Sequence, residues 1–311
     1  MNLTRTVGPT AAFRHEALLY GGKADFLEAT VPFIREGLRA DEPVLAVLER
    51  EKIGWLEDAL GDDAYDVFFE DMAAVGANPA RLIANCRRFA SAHPQSPALR
   101  GVGEPTGGRR SADALDECRR HEALLNLAFS GDRDLWLLCP YDTEALPESV
   151  LEDARATHPL IAEGGAEHPS HRYEHAAGVL AGELPPPPEG AGELAFSSGN
   201  GREVRTFAEQ AARSRGLRPE GVENVVFAAG ELTANSVLHG GGGGTIIAWS
   251  DSDSVVLEVR DRGMLDNPLV GRLRPNVDES RGRGLWLVNQ LCNLVQIRSG
   301  PHGTAVRVHA S

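Results

Sequence analysis

Glu231 and Asn235 stand four residues apart in the string Glu231-Leu-Thr-Ala-Asn235-Ser-Val-Leu-His239-Gly240. On a helix that spacing stacks a carboxylate, a carboxamide and His239 along one stripe. Hard oxygen ligands with a base close by suit Mg2+; a solvated polar face is the competing reading. Asp261-Arg-Gly263 ends the apolar run that starts at Val255. An Asp there can accept a hydrogen bond from an exocyclic amine such as that of adenine, and Gly263 lets the backbone approach a flat base. Alone, the triplet also reads as an ordinary turn. Gly282-Arg283-Gly284-Leu285 places two glycines before an amphipathic helix. Backbone N–H groups and a helix N-terminus suit phosphate, though a plain flexible loop has the same composition. Gly303-Thr304 closes the order. Together the four segments describe a pocket for ATP and a divalent metal.

From Glu193 onward there are 13 Arg, 13 acidic residues and no Lys. A Walker-type loop is therefore absent from this part, and phosphate charge falls to metal, Arg and backbone. Arg281 and Arg283 are the candidates. Met264–Arg281 is long enough to act as a lid over the phosphates, or to be a surface loop. Gly240–Gly244 reads as a flexible connector.

Elements must hold these residues in place. Gly182-Glu-Leu-Pro185-Pro-Pro-Pro188-Glu-Gly190-Ala-Gly192 cannot continue a helix and reads as a semi-rigid linker over 182–192. Before it, over 13–170, Val44–Leu48, Tyr65–Phe69 and Leu135–Cys139 read as buried strands. Ala24–Leu38, Pro79–Ala92, Ser111–Phe129 and Glu148–Thr157 read as helices. Such alternation predicts a mostly parallel α/β sheet. The string Arg-His-Glu-Ala-Leu-Leu occurs twice, at Arg14–Leu19 and Arg120–Leu125; the contexts differ and the match reads as chance. After the linker, over 193–311, the prediction is a strand at Glu193–Ser197 and helices at about 200–215 and 219–239. Strands at Gly244–Ser250 and Ser254–Asp261, a helix from Arg283 to about Cys292, and closing strands at about 294–299 and 303–309 follow. Short connections predict a mixed or antiparallel sheet with helices on one face.

The formal net charge of −14 lies wholly before Glu193. That charge argues against nucleic acid or an anionic membrane as a direct partner. Four scattered cysteines, with no C-x-x-C pair, suggest reduced thiols. No run of about 18 apolar residues is present, and the first residues lack an apolar signal core. A soluble cytoplasmic protein is the expectation.

Glu231/Asn235, Asp261/Gly263, Gly282/Gly284 and Gly303/Thr304 resemble the boxes of the GHKL ATPase superfamily. The form E-L-x-x-N-x-x-x-H-G looks most like the bacterial anti-sigma-factor serine/threonine kinases. This resemblance implies a GHKL (Bergerat) α/β sandwich in which Glu231 is the general base and Asn235 holds Mg2+. Asp261 with Gly263 would bind adenine, Gly282 and Gly284 would meet phosphates, and Thr304 would support the adenine end. Cys292-Asn293-Leu294 stands where the pattern has an acidic residue. His15-Glu-Ala-Leu-Leu-Tyr20, Phe26–Gly37, Leu138-Cys139-Pro-Tyr141-Asp142 and Thr157-His158-Pro159 resemble the methanogen/methylotroph sensory (MEDS) domain. That likeness implies a sensory α/β domain without a Walker loop. His15, Cys139, Tyr141, Asp142 and His158 then line a ligand or metal site, or are ordinary core and turn residues.

The leading expectation is a regulatory kinase. It binds ATP·Mg2+ and a sigma factor, phosphorylates Ser or Thr of an anti-sigma-factor antagonist, and answers to the first domain. The family is often dimeric, which makes a homodimer an expectation. One alternative is an ATP-dependent sigma-binding module without transfer. Another is a sensor histidine kinase using His121, although a proline linker stands where its dimerising hairpin belongs.

Overall fold

The computed structural model describes residues 13–130, 134–251, 254–275 and 283–311. In chain order the elements are β1 (Phe13–Tyr20), α1 (Gly22–Arg39), β2 (Val44–Leu48), α2 (Arg50–Leu60), β3 (Val67–Asp71), α3 (Met72–Val75), α4 (Leu82–Ala92), β4 (Ala98–Gly103), α5 (Ala112–Ala128), β5 (Asp134–Asp142), α6 (Glu148–Thr157), β6 (Leu160–Glu163), β7 (Ala166–Pro169) and α7 (Ala176–Leu180). After them come β8 (Gly192–Ser197), α8 (Gly201–Ser214), α9 (Pro219–His239), β9 (Gly243–Asp251), β10 (Ser254–Asp261), α10 (Arg283–Leu291), β11 (Leu294–Gly300) and β12 (Gly303–Ala310). Two compact units result. One runs up to Met72 and adds Phe89–Gly108 and Leu125–Ala176; the other is Ala73–Arg88, Arg109–Leu124 and Ala177–Ser311.

The first unit is built on a sheet of order β3-β2-β4-β5-β1-β6-β7. Every pairing is parallel except β6–β7, as the alternating pattern predicts. All five residues of β2 are buried, which suits a strand covered on both faces. On α1, Phe26, Thr30, Phe33, Ile34 and Gly37 form the buried stripe of an amphipathic helix. β4 brings in a buried cation, Arg100. Its Nε donates to Glu42 Oε2 at 2.6 Å and its Nη1 to Phe33 O at 2.7 Å, between the rings of Phe33 and Trp136. A side chain at Gly37 would strike it.

Four strands of this sheet, β1, β4, β6 and β7, were not expected from the pattern, and β3 starts at Val67 rather than Tyr65. Tyr65 lies in a 3-10 turn over Gly61–Asp66 and is 89% exposed. The strand β1 contains the first Arg-His-Glu-Ala-Leu-Leu copy, while the second copy is helical within α5.

The second unit carries an antiparallel sheet of order β11-β12-β10-β9-β8. Period-2 alternation sends Val255, Leu257 and Val259 of β10 into a core with α8, α9 and α10. Glu258 points the other way and is fully buried. Arg307 Nε donates to it at 2.7 Å, Arg260 bonds it too, and Arg307 lies over the Trp249 ring. Arg307 Nη2 also reaches Pro185 O at 2.5 Å, so the proline segment is tied to this face.

Within the same unit, Glu117 of α5 is 1% exposed and accepts from Arg272 Nη2 at 2.8 Å and from Arg298 Nη1 at 2.7 Å. Asp116 also bonds Arg298. Arg120 sits nearby, its guanidinium pushed down to about 10 by burial and then by the Arg298 charge. At the end of α10, Arg81 donates to Asn289 O at 2.8 Å and Cys292 O at 2.9 Å, which satisfies carbonyls left open by the helix. No disulfide joins any of the four cysteines; burial pushes Cys118 and Cys292 up to about 12. Among the described residues no helix is long and apolar enough to cross a membrane.

Removing the Glu117 carboxylate would leave buried guanidiniums uncompensated. Glu117→Ala is expected to cost about 3–5 kcal/mol in the second unit, read as a lower urea midpoint. A midpoint equal to that of the unmodified chain would contradict this.

Candidate nucleotide site

Asp261 is the last residue of β10 and pairs with Thr304 of β12. Its Oδ2 accepts from Ser236 Oγ at 2.6 Å and its Oδ1 from Gly263 N at 2.7 Å. Ser236 also stands 3.1 Å from Leu232 O, but it has one hydroxyl hydrogen and the shorter contact is to the carboxylate. An ionised carboxylate accepts about four hydrogen bonds, so roughly two acceptor positions remain for a ligand amine.

Small residues allow this approach. A Cβ at Gly240 would collide with the Asp261 carboxyl, and one at Gly263 would lie 2.8 Å from both Gly240 Cα and His239 O. Gly303, at φ +123°, has the Asp261 carbonyl against it and adopts a conformation glycine favours. The glycine run expected to be a flexible connector is therefore shaped by contact. Gly240 meets Asp261, Gly241 and Gly242 make the turn, and Gly243 already belongs to β9.

Thr304 is buried and donates to Gly263 O at 2.8 Å. Ser299 Oγ lies 2.8 Å from Thr304 Oγ1 and accepts from Leu265 N at 2.8 Å. Because the Thr304 hydrogen goes to Gly263, Ser299 donates to Thr304. The result is a one-directional chain from Leu265 N–H through two hydroxyls to Gly263 O. It pins the turn after Asp261 onto the β11–β12 hairpin.

Glu231, Asn235 and Ser236 lie on α9, Glu231 and Asn235 both half-buried. The Glu231 carboxylate lies against Gly284 in the first turn of α10, where a Cβ would collide with it. A negative group at that end of a helix is favoured by its open N–H groups and dipole. Arg283 opens α10 and is exposed. Arg281 and Gly282 lie outside the described residues, as does the end of the expected lid. Its first part, up to Pro275, is anchored: Asn289 Nδ2 donates to Gly271 O at 2.9 Å, and Arg272 is held by Glu117.

Sequence reasoning singled out Asp261, Gly263 and Thr304, which the fold brings together, and Glu231 with Gly284, which also meet. It missed Ser236 and Ser299. Each is a lone serine whose partner is set only when strand and helix ends converge.

In the first unit His15, Cys139 and His158 come together, their ligating atoms within 4.8 Å of one another. The Tyr141 ring meets His158 edge-on at 5.6 Å. Asp142 is not part of this group; its Oδ1 accepts from Glu144 N at 2.9 Å in the turn after β5. A buried cluster not foreseen lies at the carboxyl ends of β1 and β4. Tyr20 donates to Glu104 Oε1 at 3.3 Å and Lys52 bonds the same oxygen. Burial and the Glu104 charge raise the Tyr20 hydroxyl, while burial raises Glu104 against the pull of Lys52.

Residues 14–159 match the family model of MEDS, the MEthanogen/methylotroph, DcmR Sensory domain, and residues 196–310 match the histidine kinase-like ATPase domain. The chain joins a MEDS domain to a histidine kinase-like ATPase domain. Asp261, the Gly240 contact and the α9 stripe all lie in the ATPase domain. No curated protein matches the chain. A solved structure of the RsbU and RsbW domains of Rv1364c from Mycobacterium tuberculosis is 21% identical, with a TM-score of 0.29. The match covers 38% of this chain, and the chain spans about a third (32%) of the length of that one.

Two glycines of the same region separate packing from propensity. Gly230, inside α9, has open space at its Cβ position, whereas Gly240 has the Asp261 carboxyl. Gly230→Ala is expected to stabilise by about 0.5–1 kcal/mol and Gly240→Ala to destabilise by about 1–3 kcal/mol. Denaturant midpoints of the two variants check this; shifts of the same sign would contradict it.

Proposed function

We propose that the chain is an ATP-dependent regulator of the anti-sigma-factor serine/threonine kinase type. In this reading it transfers phosphate from ATP to a Ser or Thr of an anti-sigma-factor antagonist and also binds a sigma factor. The observation that carries the reading is the arrangement along α9. Glu231 faces the first turn of α10, Asn235 follows one turn later, and Ser236 holds Asp261. Gly240, Gly263 and Gly303 let the ends of helix, strand and hairpin close around Asp261, and the donor set is one of hard oxygens.

Asp261 would accept from the adenine amine, with Gly263 beside the base and Thr304 fixing the turn. Backbone N–H groups at Gly282 and Gly284, with Arg281 and Arg283, would meet the phosphates. Asn235 would hold Mg2+, which binds through few protein oxygens and keeps phosphates and water. When bound, that ion neutralises charge developing on the phosphate oxygens. Glu231 would take the proton from the acceptor hydroxyl.

Control of transfer by the first domain is part of this reading. His15, Cys139 and His158, with Tyr141 and the more distant Asp142, are the proposed signal-binding residues. The reading places the protein in the cytoplasm, away from nucleic acid and membrane, and allows a homodimer.

A sigma-binding module that uses ATP without transfer would share every contact except the role of Glu231. The histidine-kinase reading loses support because His121 is 3% exposed in the middle of α5. Glu231→Ala should lower transfer to the antagonist by about 10²–10⁴-fold while ATP binding, read by calorimetry, persists. Transfer at the unmodified rate would remove Glu231 as the base.

A further inference from the structure

His15 and Cys139 come from neighbouring strands of one sheet, and His158 from the helix end that leads into the next. β1 pairs in parallel with β5 and β6, with His15 opposite Leu137, Ala17 opposite Cys139 and Glu16 opposite Leu160. His15 and Cys139 therefore face the same side, and His158 arrives at the end of α6, just before β6. All three are buried at 1% exposure or less.

Hydrogen bonding settles the tautomers. His15 Nδ1 lies 3.0 Å from Asn126 Oδ1, and the Asn126 amide is oriented by its Nδ2 donating to Thr157 O at 2.9 Å. His158 Nδ1 lies 2.9 Å from Ala154 O. Thr157 Oγ1 lies 3.1 Å from the same His158 nitrogen, but its hydrogen goes to Asp153 O at 2.8 Å; each imidazole therefore meets acceptors at Nδ1, donates from it and turns the Nε2 lone pair to the other side. Metal-ligating histidines have this pattern, in which the second ring nitrogen donates to a carbonyl or carboxylate that orients the ring.

Distance fits as well. His15 Nε2 and Cys139 Sγ are 3.5 Å apart. A tetrahedral zinc ion with its usual Zn–N and Zn–S bonds separates those atoms by about 3.5 Å. Around them lie Phe13, stacked on His15 at 5.2 Å, and the edge of Tyr141. The His15 and His158 rings are 4.0 Å apart. The helix that carries Asn126 also carries the buried Glu122 one turn earlier.

We propose that His15, Cys139 and His158 ligate a divalent metal ion of the zinc class, with Asn126 and the Ala154 carbonyl as orienting partners. A thiolate beside two imidazoles selects zinc-like ions over Mg2+ or Ca2+. The competing arrangement is a metal-free thiol donating to His15 Nε2. The inference deepens the assignment of these residues to the first domain's signal site and stands apart from the kinase reading, because its readouts involve neither ATP nor transfer.

The test uses the full chain, its bound metal measured by elemental analysis after growth with zinc, then cobalt(II) titrated into the stripped protein. One equivalent of zinc per chain is expected, with a sulfur-to-cobalt charge-transfer band in the near ultraviolet. Cys139→Ser should lose the band while Cys86→Ser keeps it. Asn126→Ala should weaken metal affinity by about 10–100-fold with unchanged circular dichroism. A folded, unmodified chain that takes up neither ion, or that binds cobalt without the sulfur band, would overturn the proposal. Should Cys139→Ser fail to fold, the band of the unmodified chain still decides between thiolate ligation and a metal-free thiol.

Discussion

The ATPase domain is organised around one carboxylate. Asp261 ends the central strand β10 and is held by a helix hydroxyl on one side and by its own turn on the other. A half-buried carboxylate is held in one place when several donors meet it. Those donors can approach only because Gly240, Gly263 and Gly303 carry no side chain. The same contacts fix the C-terminal turns of α9 to the sheet, and so set where Glu231 and Asn235 stand. The hydroxyl chain through Ser299 and Thr304 then fixes the loop that continues toward α10.

The opposite face of this sheet is polar yet buried, which is costly unless every charge has a counterpart. Glu258 has Arg307 and Arg260; Arg298 and Arg272 have Glu117. These pairs explain why segments distant in sequence, Arg109–Leu124 and the residues around Pro185, belong to the compact unit that holds the candidate nucleotide site. Their directionality makes α5 a specific support rather than an apolar cover.

Much of this was legible in the chain. The boxes around Asp261 could be read because their chemistry is local: an Asp at a strand end, glycines beside it, a helix with a four-residue spacing. Ser254–Asp261 and Glu148–Thr157 could be placed to the residue because breakers bound them, Gly263 after the strand and Pro147 and Pro159 on either side of the helix. The failures have physical causes. Arg-His-Glu-Ala-Leu-Leu favours a helix locally, and it is one in α5, yet in β1 the pairing with β5 and β6 overrides that preference. β4 contains Gly101, which reads as a breaker until Leu137 is seen pressed against it. The glycine run after α9 looked like slack because the carboxyl that shapes it lies over twenty positions away. Ser236 and Glu117 carried no local signal, since their partners are non-local.

The most direct test of the account is calorimetry of ATP·Mg2+ with the full chain and with Asp261→Asn, a near-isosteric change that removes the charge. The account predicts saturable binding by the unmodified chain and a loss of about 10–100-fold in the variant, the worth of a hydrogen bond to a charged group. Equal affinity in both proteins would contradict the claim that Asp261 recognises the base.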